Sequence, residues 1–163
     1  MARSRRHGQQ PRVREAAAQR YAQGAQGAQE EQEAQLPPLT GVLLDSDVII
    51  EILRGNPEIV DAVAALEASG TPTYCSPINW AEIYAGIRPG EEAVTEAFFR
   101  ARGEVLLDAE VGRRAGAYLA RHATSRGVRI ADALIAAAAT SSGLRLWTLN
   151  RRHYPMEDLE FYG

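Results

Sequence analysis

Two carboxylates interrupt an apolar segment of the chain, "LLDSDVII", at residues 43–50. Asp45 and Asp47 flank Ser46, with leucine, valine and isoleucine on either side. An ionised carboxylate is costly to bury alone, so it usually meets a cation, hydrogen-bond donors or water. Two interpretations follow. Asp45 is a metal ligand at the carboxyl end of a strand, or one of the two aspartates caps a helix that begins there.

Three more positions carry polar groups that suit the same chemistry: Glu82, Asp132 and Asn150. Alone, Glu82 could lie on a solvated helix face, and Asp132 could be an early-turn acid stabilised by the helix dipole. Acids gathered from several elements repel one another, and in a folded protein such a cluster usually binds a hard cation. Oxygen ligands favour Mg²⁺ or Mn²⁺ over zinc. Such an ion promotes phosphodiester hydrolysis by orienting a water and lowering its pKa.

The elements that must position these residues alternate between short apolar strands and helical segments. The strand patterns are "GVLLD", "PTYCS", "EVLLD" and "LRLWTLN", with "LEFY" as a last edge strand. The helical patterns between them are "NPEIVDAVAALEASG", "INWAEIYAGI", "EEAVTEAFFRARG", "AEVGRRAGAYLARHATSRG" and "IADALIAAAATSSG". This alternation predicts a three-layer α/β/α domain around a central, mainly parallel sheet. Asp45 and Asn150 share one crevice if the strands before them are neighbours.

Composition excludes several kinds of protein. All 18 basic residues are arginine, so a Walker P-loop ATPase, which needs a lysine, is excluded. The single cysteine, Cys75, allows neither an intrachain disulfide nor a cysteine zinc cluster, and it favours a reducing compartment. No apolar run approaches the ~18 residues of a membrane span, and no apolar segment of a secretory signal follows the first arginines. We expect a cytoplasmic protein that does not cross a membrane.

A compositional boundary divides the chain. All eight glutamines lie between Gln9 and Gln35, which predicts that residues 1–38 form a disordered extension rich in Gln, Ala, Gly and Arg. Residues 39–163 are the predicted folded domain. Residues 41–163 hold 12 arginines against 17 acids, so a broad basic surface is not expected there. RNA would need a local arginine patch, a bound cation, or the extension acting as a basic arm.

Four sequence blocks resemble one family: "LLDSDVIIEILRG", "SPINWAEIYAG", "IADALIAAAAT" and "LWTLNRRHYP". In this order and spacing they are similar to the PIN-domain ribonucleases, in particular the VapC-type toxins of toxin–antitoxin pairs, across residues 41–163. The resemblance implies that Asp45, Glu82 and Asp132 are catalytic metal ligands. Asn150 stands where many PIN domains carry a fourth acid. It removes one negative charge but can still hydrogen-bond a bound water.

The resemblance also implies an activity and partners. These are Mg²⁺- or Mn²⁺-dependent endoribonuclease activity that leaves 5'-phosphate and 3'-hydroxyl ends, an RNA substrate, a homodimer and a cognate antitoxin. Arg151 and Arg152 follow Asn150 and are predicted to contact RNA, since guanidinium groups bind phosphate. Supporting contacts around the acids are predicted for four residues: Ser46, Asp47, Thr148 and His153. His153 could equally be a partly exposed residue that caps the loop.

Two alternatives remain open from the sequence. Because Asn150 weakens the acidic set, the domain could be a catalytically weakened PIN-like module that binds RNA or protein without cleavage. "DSD" after an apolar strand also resembles the D-x-D motif of haloacid-dehalogenase-type phosphatases, in which the first aspartate is a nucleophile. Those enzymes commonly use a lysine and a late pair of acids, whereas this chain has no lysine and its late strand ends in "TLN".

Overall fold

The computed structural model describes residues 40–163, and its centre is one sheet of four parallel strands. The predicted extension, residues 1–38, lies outside the described residues. The strand order is β3-β2-β1-β4. The bounds are β1 (Val42–Leu44), β2 (Thr73–Cys75), β3 (Gly103–Glu104) and β4 (Arg145–Trp147). A sheet of this kind confirms the predicted α/β class.

Helices cover both faces of the sheet. In chain order they are α1 (Ser46–Leu53), α2 (Pro57–Ala68), α3 (Pro77–Ala85), α4 (Glu92–Arg100), α5 (Ala109–Arg126) and α6 (Ile130–Ser142). One apolar core lies among β1, β4, α5 and α6, and the other packs α1 to α4 against the opposite face. The predicted three layers are therefore confirmed. No helix in residues 40–163 is both long enough and apolar enough to cross a membrane.

Strand β1 is buried on both faces, which explains its uninterrupted apolar sequence. Leu43 packs into the core of α5 and α6, while Val42 and Leu44 pack into the core of α1 to α4. All three side chains are fully buried. Strand β1 lies in the interior of the sheet, between β2 and β4, and a separate layer of helices covers each of its faces.

Strands β1 and β4 are neighbours, as the crevice prediction requires. Leu43 pairs with Leu146 and Leu44 with Trp147. The pairing continues one residue further, since Asp45 N donates to Trp147 O at 2.8 Å. The carboxyl ends of both strands therefore open at the same edge, and Asp45 lies at that edge.

Two strand predictions need correction. The "EVLLD" segment is a strand only at its start: β3 is Gly103–Glu104, and although Val105 N still donates to Cys75 O, the next side chain, Leu106, is 74% exposed. The chain there leaves the sheet to reach α5. The "LEFY" segment forms a single parallel bridge, Phe161 to Leu146, rather than a full strand.

The entry to β1 requires glycine at residue 41. Gly41 has φ +148°, and a Cβ there would collide with the carbonyl oxygen of Pro72. We expect Gly41→Ala to lower the free energy of unfolding by more than about 1 kcal/mol, because both the backbone conformation and the space oppose a side chain. Urea unfolding measures the change.

Gly116→Ala is the matched control. Gly116 lies inside α5, and a Cβ there meets no atom within 4 Å. Alanine should therefore stabilise the helix by roughly 0.5–1 kcal/mol. Equal effects of the two substitutions would show that the entry to β1 is not constrained as described.

Candidate active site

Asp45 lies at the carboxyl end of a strand and also caps a helix, so the helix-cap interpretation of the "LLDSDVII" segment is confirmed and the metal-ligand role stays a prediction. It follows β1 and is the N-cap of α1, since its Oδ1 accepts a hydrogen bond from Ser46 N at 2.7 Å. Its Oδ2 accepts from the Tyr154 hydroxyl at 2.8 Å. Only 7% of the residue is exposed. The cap and the predicted site acid are thus the same buried carboxylate.

Ser46 joins Asp45 to Glu82. Its backbone N–H contacts the Asp45 carboxylate, and its hydroxyl donates to Glu82 Oε2 at 2.6 Å. Asn79 lies one helical turn before Glu82 on α3 and donates from Nδ2 to the Ser46 hydroxyl at 3.0 Å. The first turn of α1 and the middle of α3 therefore meet at one serine.

Asp47 has a different role from Asp45. Its carboxylate accepts from Leu149 N at 3.1 Å and from the Thr148 hydroxyl at 3.3 Å. These contacts connect the first turn of α1 to the loop after β4. Thr148 in turn accepts from Asn150 N at 3.0 Å. Asp47 and Thr148 thus fix the start of the loop that carries Asn150, and their supporting role for the proposed ligands stays a prediction.

Asp132 lies in the first turn of α6, where its Oδ2 accepts from Arg129 N at 3.1 Å. This is the early-turn position of the alternative interpretation. Its charge also contributes to the raised pKa of Tyr154, together with the charges of Asp45 and Asp47, although burial of the phenol is the largest cause. Within residues 40–163, Asp132 has no direct hydrogen bond to Asp45 or Glu82.

Asn150 and His153 contact each other across one turn of 3₁₀ helix (Arg151–His153). Asn150 Nδ2 lies 3.2 Å from His153 Nε2. The arginine between them at residue 151 turns away from this pair: its guanidinium donates to the carbonyls of Tyr162 and Gly163 and lies over the Phe161 ring. Arg152 is exposed. The two arginines predicted to contact RNA therefore differ in their surroundings, since Arg151 binds residues 161–163 of the protein itself.

Comparison with known proteins identifies the family. Residues 42–159 match the family model described as "PIN domain". This chain belongs to the PIN-domain family. Ribonuclease VapC19 of Mycobacterium tuberculosis is 36% identical over 115 residues, which cover 70% of this chain and 92% of that protein. Ribonuclease VapC10 of the same organism is 34% identical over 119 residues, covering 71% and 86%.

Solved structures agree on the fold. The structure of DNA-bound VapBC from Salmonella typhimurium has a TM-score of 0.64 at 25% identity and covers 76% of this chain and 98% of that chain. VapBC2 from Rickettsia felis, bound to a promoter DNA fragment, has a TM-score of 0.62 at 20% identity, covering 74% and 96%. The predicted PIN-like fold is confirmed, and the phosphatase interpretation has no support from these relatives.

Among the three predicted ligands of this PIN domain, Asp45 is buried, whereas Glu82 and Asp132 are half-buried. Burial, with a further contribution from the nearby charge of Asp47, raises the pKa of Asp45 from 3.8 to about 6, because the hydrogen bonds from Tyr154 and Ser46 N offset only part of these effects. Within residues 40–163, the arginine ion pairs involve other acids, and none includes the three predicted ligands, Asp45, Glu82 and Asp132.

The carboxylates of Asp45, Glu82 and Asp132 have the right chemistry for a hard cation, but they are not arranged as a complete metal site. In the part of the chain that the structure describes, no three His, Cys, Asp or Glu side chains are grouped closely enough to hold a metal. Asp45, Glu82 and Asp132 instead accept hydrogen bonds from Tyr154, Ser46 and Arg129 N. Their oxygens are the ligand type of Mg²⁺ and Mn²⁺, and among residues 40–163 no arginine forms an ion pair with them.

Sequence reasoning missed two residues of this site, Tyr154 and Asn79. Tyr154 is only 4% exposed and directs its hydroxyl to Asp45, yet as a letter in "RRHYP" it looks like an ordinary core aromatic. Asn79 is fully buried. Its spacing from Ser76, a serine followed three residues later by a polar side chain, is the helix-capping signal that could have identified it.

Because burial opposes its charge, Asp45 should destabilise the metal-free protein at neutral pH. Its pKa is higher in the folded than in the unfolded chain, so stability falls as pH rises from about 4 to about 6 and stays reduced above that. Asp45→Asn should therefore raise the free energy of unfolding by up to about 3 kcal/mol at pH 8 in EDTA. Urea unfolding across this pH range measures it.

Asp61→Asn is the control, because Asp61 is an exposed residue of α2. Its free energy of unfolding should change by no more than about 0.5 kcal/mol at every pH. If Asp45→Asn destabilised the metal-free protein at pH 8, the carboxylate would be better satisfied than its burial indicates.

Tyr154→Phe should raise the pKa of Asp45 above about 6, because the phenol hydrogen bond stabilises the charged carboxylate. NMR titration of the Asp45 carboxyl carbon in EDTA measures this. Tyr118→Phe is the control, since the Tyr118 hydroxyl donates to Asp158 instead. An unchanged Asp45 titration in Tyr154→Phe would contradict the assigned contact.

Proposed function

We propose that this PIN domain is a Mg²⁺- or Mn²⁺-dependent endoribonuclease and the toxin of a VapBC-type toxin–antitoxin pair. The observation that carries the proposal is the buried Asp45 carboxylate, which Ser46 links to Glu82 and which has no arginine partner in the described residues. Such uncompensated acid at the carboxyl edge of a parallel sheet fits a cation site. The names of the ribonuclease relatives support RNA as the substrate.

Asp45, Glu82 and Asp132 are the proposed metal ligands. When bound, the ion supplies a more acidic, oriented water and positive charge next to the scissile phosphate. The protein's own part is positional. Tyr154 and the Ser46 N–H fix both oxygens of Asp45, and the Ser46 hydroxyl fixes one oxygen of Glu82. Fixed ligands lose less freedom when the ion and RNA bind.

The Asn150–His153 pair is the proposed polar contact to the substrate. Asn150 offers an amide and His153 an imidazole at the mouth of the site, 3.2 Å apart. His153 can donate a proton to the leaving oxygen in its charged form. Exposed Arg152 is the better phosphate contact of the two predicted arginines, since Arg151 is engaged by the segment at residues 161–163. Arg151 stays a prediction.

A groove with both apolar and charged walls lies next to Glu82 and suits the proposed antitoxin. It holds about 180 Å³ between α1, α3 and the start of α4. Its apolar walls are Ile50, Leu53, Ile83, Ile87 and Val94, and its charged rim is Arg54, Arg88 and Glu91. An apolar segment of the antitoxin that enters this groove would lie beside a proposed metal ligand and block the site. The homodimer is likewise proposed from the family resemblance.

Cleavage of RNA tests the function directly. Purified, antitoxin-free protein should cut total cellular RNA at discrete positions in Mg²⁺ or Mn²⁺ and not in EDTA. The new ends should be 5'-phosphate and 3'-hydroxyl. Asp132→Asn and Glu82→Gln should each reduce cleavage at least ~100-fold, because each removes a charged ligand of the ion. Mapping of new 5' ends measures the cuts.

Glu58→Gln is the matched control and should keep full activity, because Glu58 is an exposed residue of α2. Cleavage that persists in EDTA, or in both site variants, would contradict the metal-dependent mechanism. Folded protein that binds RNA or protein without cutting would instead favour the catalytically weakened binding module.

A further inference from the structure

A buried hydrogen-bond chain leads to Glu82 from the end of β2. It begins at the backbone N–H of Ser76, which donates to Asn79 Oδ1 at 2.7 Å. Asn79 Nδ2 donates to the Ser46 hydroxyl at 3.0 Å, and Ser46 donates to Glu82 Oε2 at 2.6 Å. Ser76 and Asn79 are fully buried and Ser46 is 7% exposed. The two bonds of Asn79 are therefore shielded from water, and the last bond, from Ser46 to the half-buried Glu82, is partly shielded.

The direction of this chain is determined by its first member. A backbone N–H can only donate, so the Asn79 atom that faces Ser76 must be the oxygen. The Ser76 hydroxyl donates to the same oxygen at 2.8 Å, which reinforces the assignment. The amide nitrogen of Asn79 must then face Ser46. Because that nitrogen can only donate, the Ser46 oxygen must accept from it.

The orientation of Asn79 determines where the Ser46 hydroxyl donates its proton, which is to Glu82. A serine hydroxyl carries one proton, and here Asn79 occupies an acceptor lone pair of Ser46. The single proton is therefore directed to Glu82. A serine without Asn79 could turn its proton elsewhere or accept from a different donor. Asn79 thus acts on Glu82 at a distance of two hydrogen bonds.

We infer that Asn79 is a positioning residue that, through Ser46, holds the Glu82 carboxylate in one orientation for the metal ion. This inference rests on the proposed function. Hydrogen-bond partners of metal ligands commonly contribute a further 10–100-fold, roughly, in metal affinity, because they pre-orient the ligand. The same serine contacts Asp45 through its N–H, so Asn79 supports the residue that joins two proposed ligands.

A double-mutant cycle with Mn²⁺ alone tests the inference. Ser46→Ala and Asn79→Ala should each weaken Mn²⁺ binding about 10-fold or more, measured by calorimetric titration of the metal-free protein. The double variant should bind Mn²⁺ no more weakly than Ser46→Ala, since Asn79 acts only through that hydroxyl. In RNA cleavage, kcat should fall while KM changes less than about twofold.

Ser141→Ala is the matched control. The Ser141 hydroxyl is buried and has no hydrogen-bond partner in the described part of the chain, so its removal should leave Mn²⁺ binding unchanged. Urea unfolding in EDTA verifies that each variant folds. If Asn79→Ala does not fold, Ser46→Ala with Ser46→Thr still tests the step from Ser46 to Glu82 on which the inference depends. Threonine keeps the hydroxyl and should restore Mn²⁺ binding, whereas unchanged binding in Ser46→Ala overturns the inference.

The outcomes separate the inference from the proposed function. If the wild-type protein binds Mn²⁺ and cuts RNA, but Asn79→Ala weakens binding equally with and without the Ser46 hydroxyl, the coupling through Ser46 is overturned and the metal-dependent activity stands. Unchanged binding in both single variants overturns it as well. If the wild-type protein neither binds Mn²⁺ nor cuts RNA, the proposed function fails together with the role of Asn79.

Discussion

The uncompensated negative charge of Asp45 is the constraint around which this domain is organised. The residue lies where a strand buried on both faces ends and a helix begins, so its carboxylate is surrounded by protein. Helix capping and one phenol satisfy its oxygens without neutralising it, and burial raises its pKa to about 6. A fold that keeps such a group gives up stability, and the proposed cation would recover that stability by binding.

The neighbouring aspartate shows that position, rather than residue type, decides the role. Asp47 is two residues from Asp45 and has the same side chain, but it faces the loop after β4 and binds two groups of that loop. It thereby connects α1 to the segment that carries Asn150. The first turn of α1 separates the two carboxylates, so Asp45 lies in the candidate site and Asp47 binds the loop beside it.

The sequence predicted those features that local pattern determines. Neighbouring residues in the sequence are enough to predict the apolar strands β1 and β4, the helical periodicity and the acids at strand and helix ends. Two features depend on partners far along the chain. Tyr154 becomes a site residue only because the segment after β4 returns to Asp45, 109 positions away. Strand β3 stops early because the chain leaves the sheet after Val105 to reach α5, which the apolar letters of "EVLLD" do not reveal.

Charge balance gives Asn150 a physical meaning. Residues 41–163 hold more acids than arginines, and the proposed site adds unpaired carboxylates at the place where an RNA phosphate must approach. A fourth acid at residue 150 would strengthen the hold on a second cation but would also repel that phosphate. Asparagine removes the repulsion and keeps a hydrogen-bonding group, which His153 orients. With Arg151 engaged by the segment at residues 161–163, a less negative site entrance matters more, because fewer cationic side chains remain there to attract RNA.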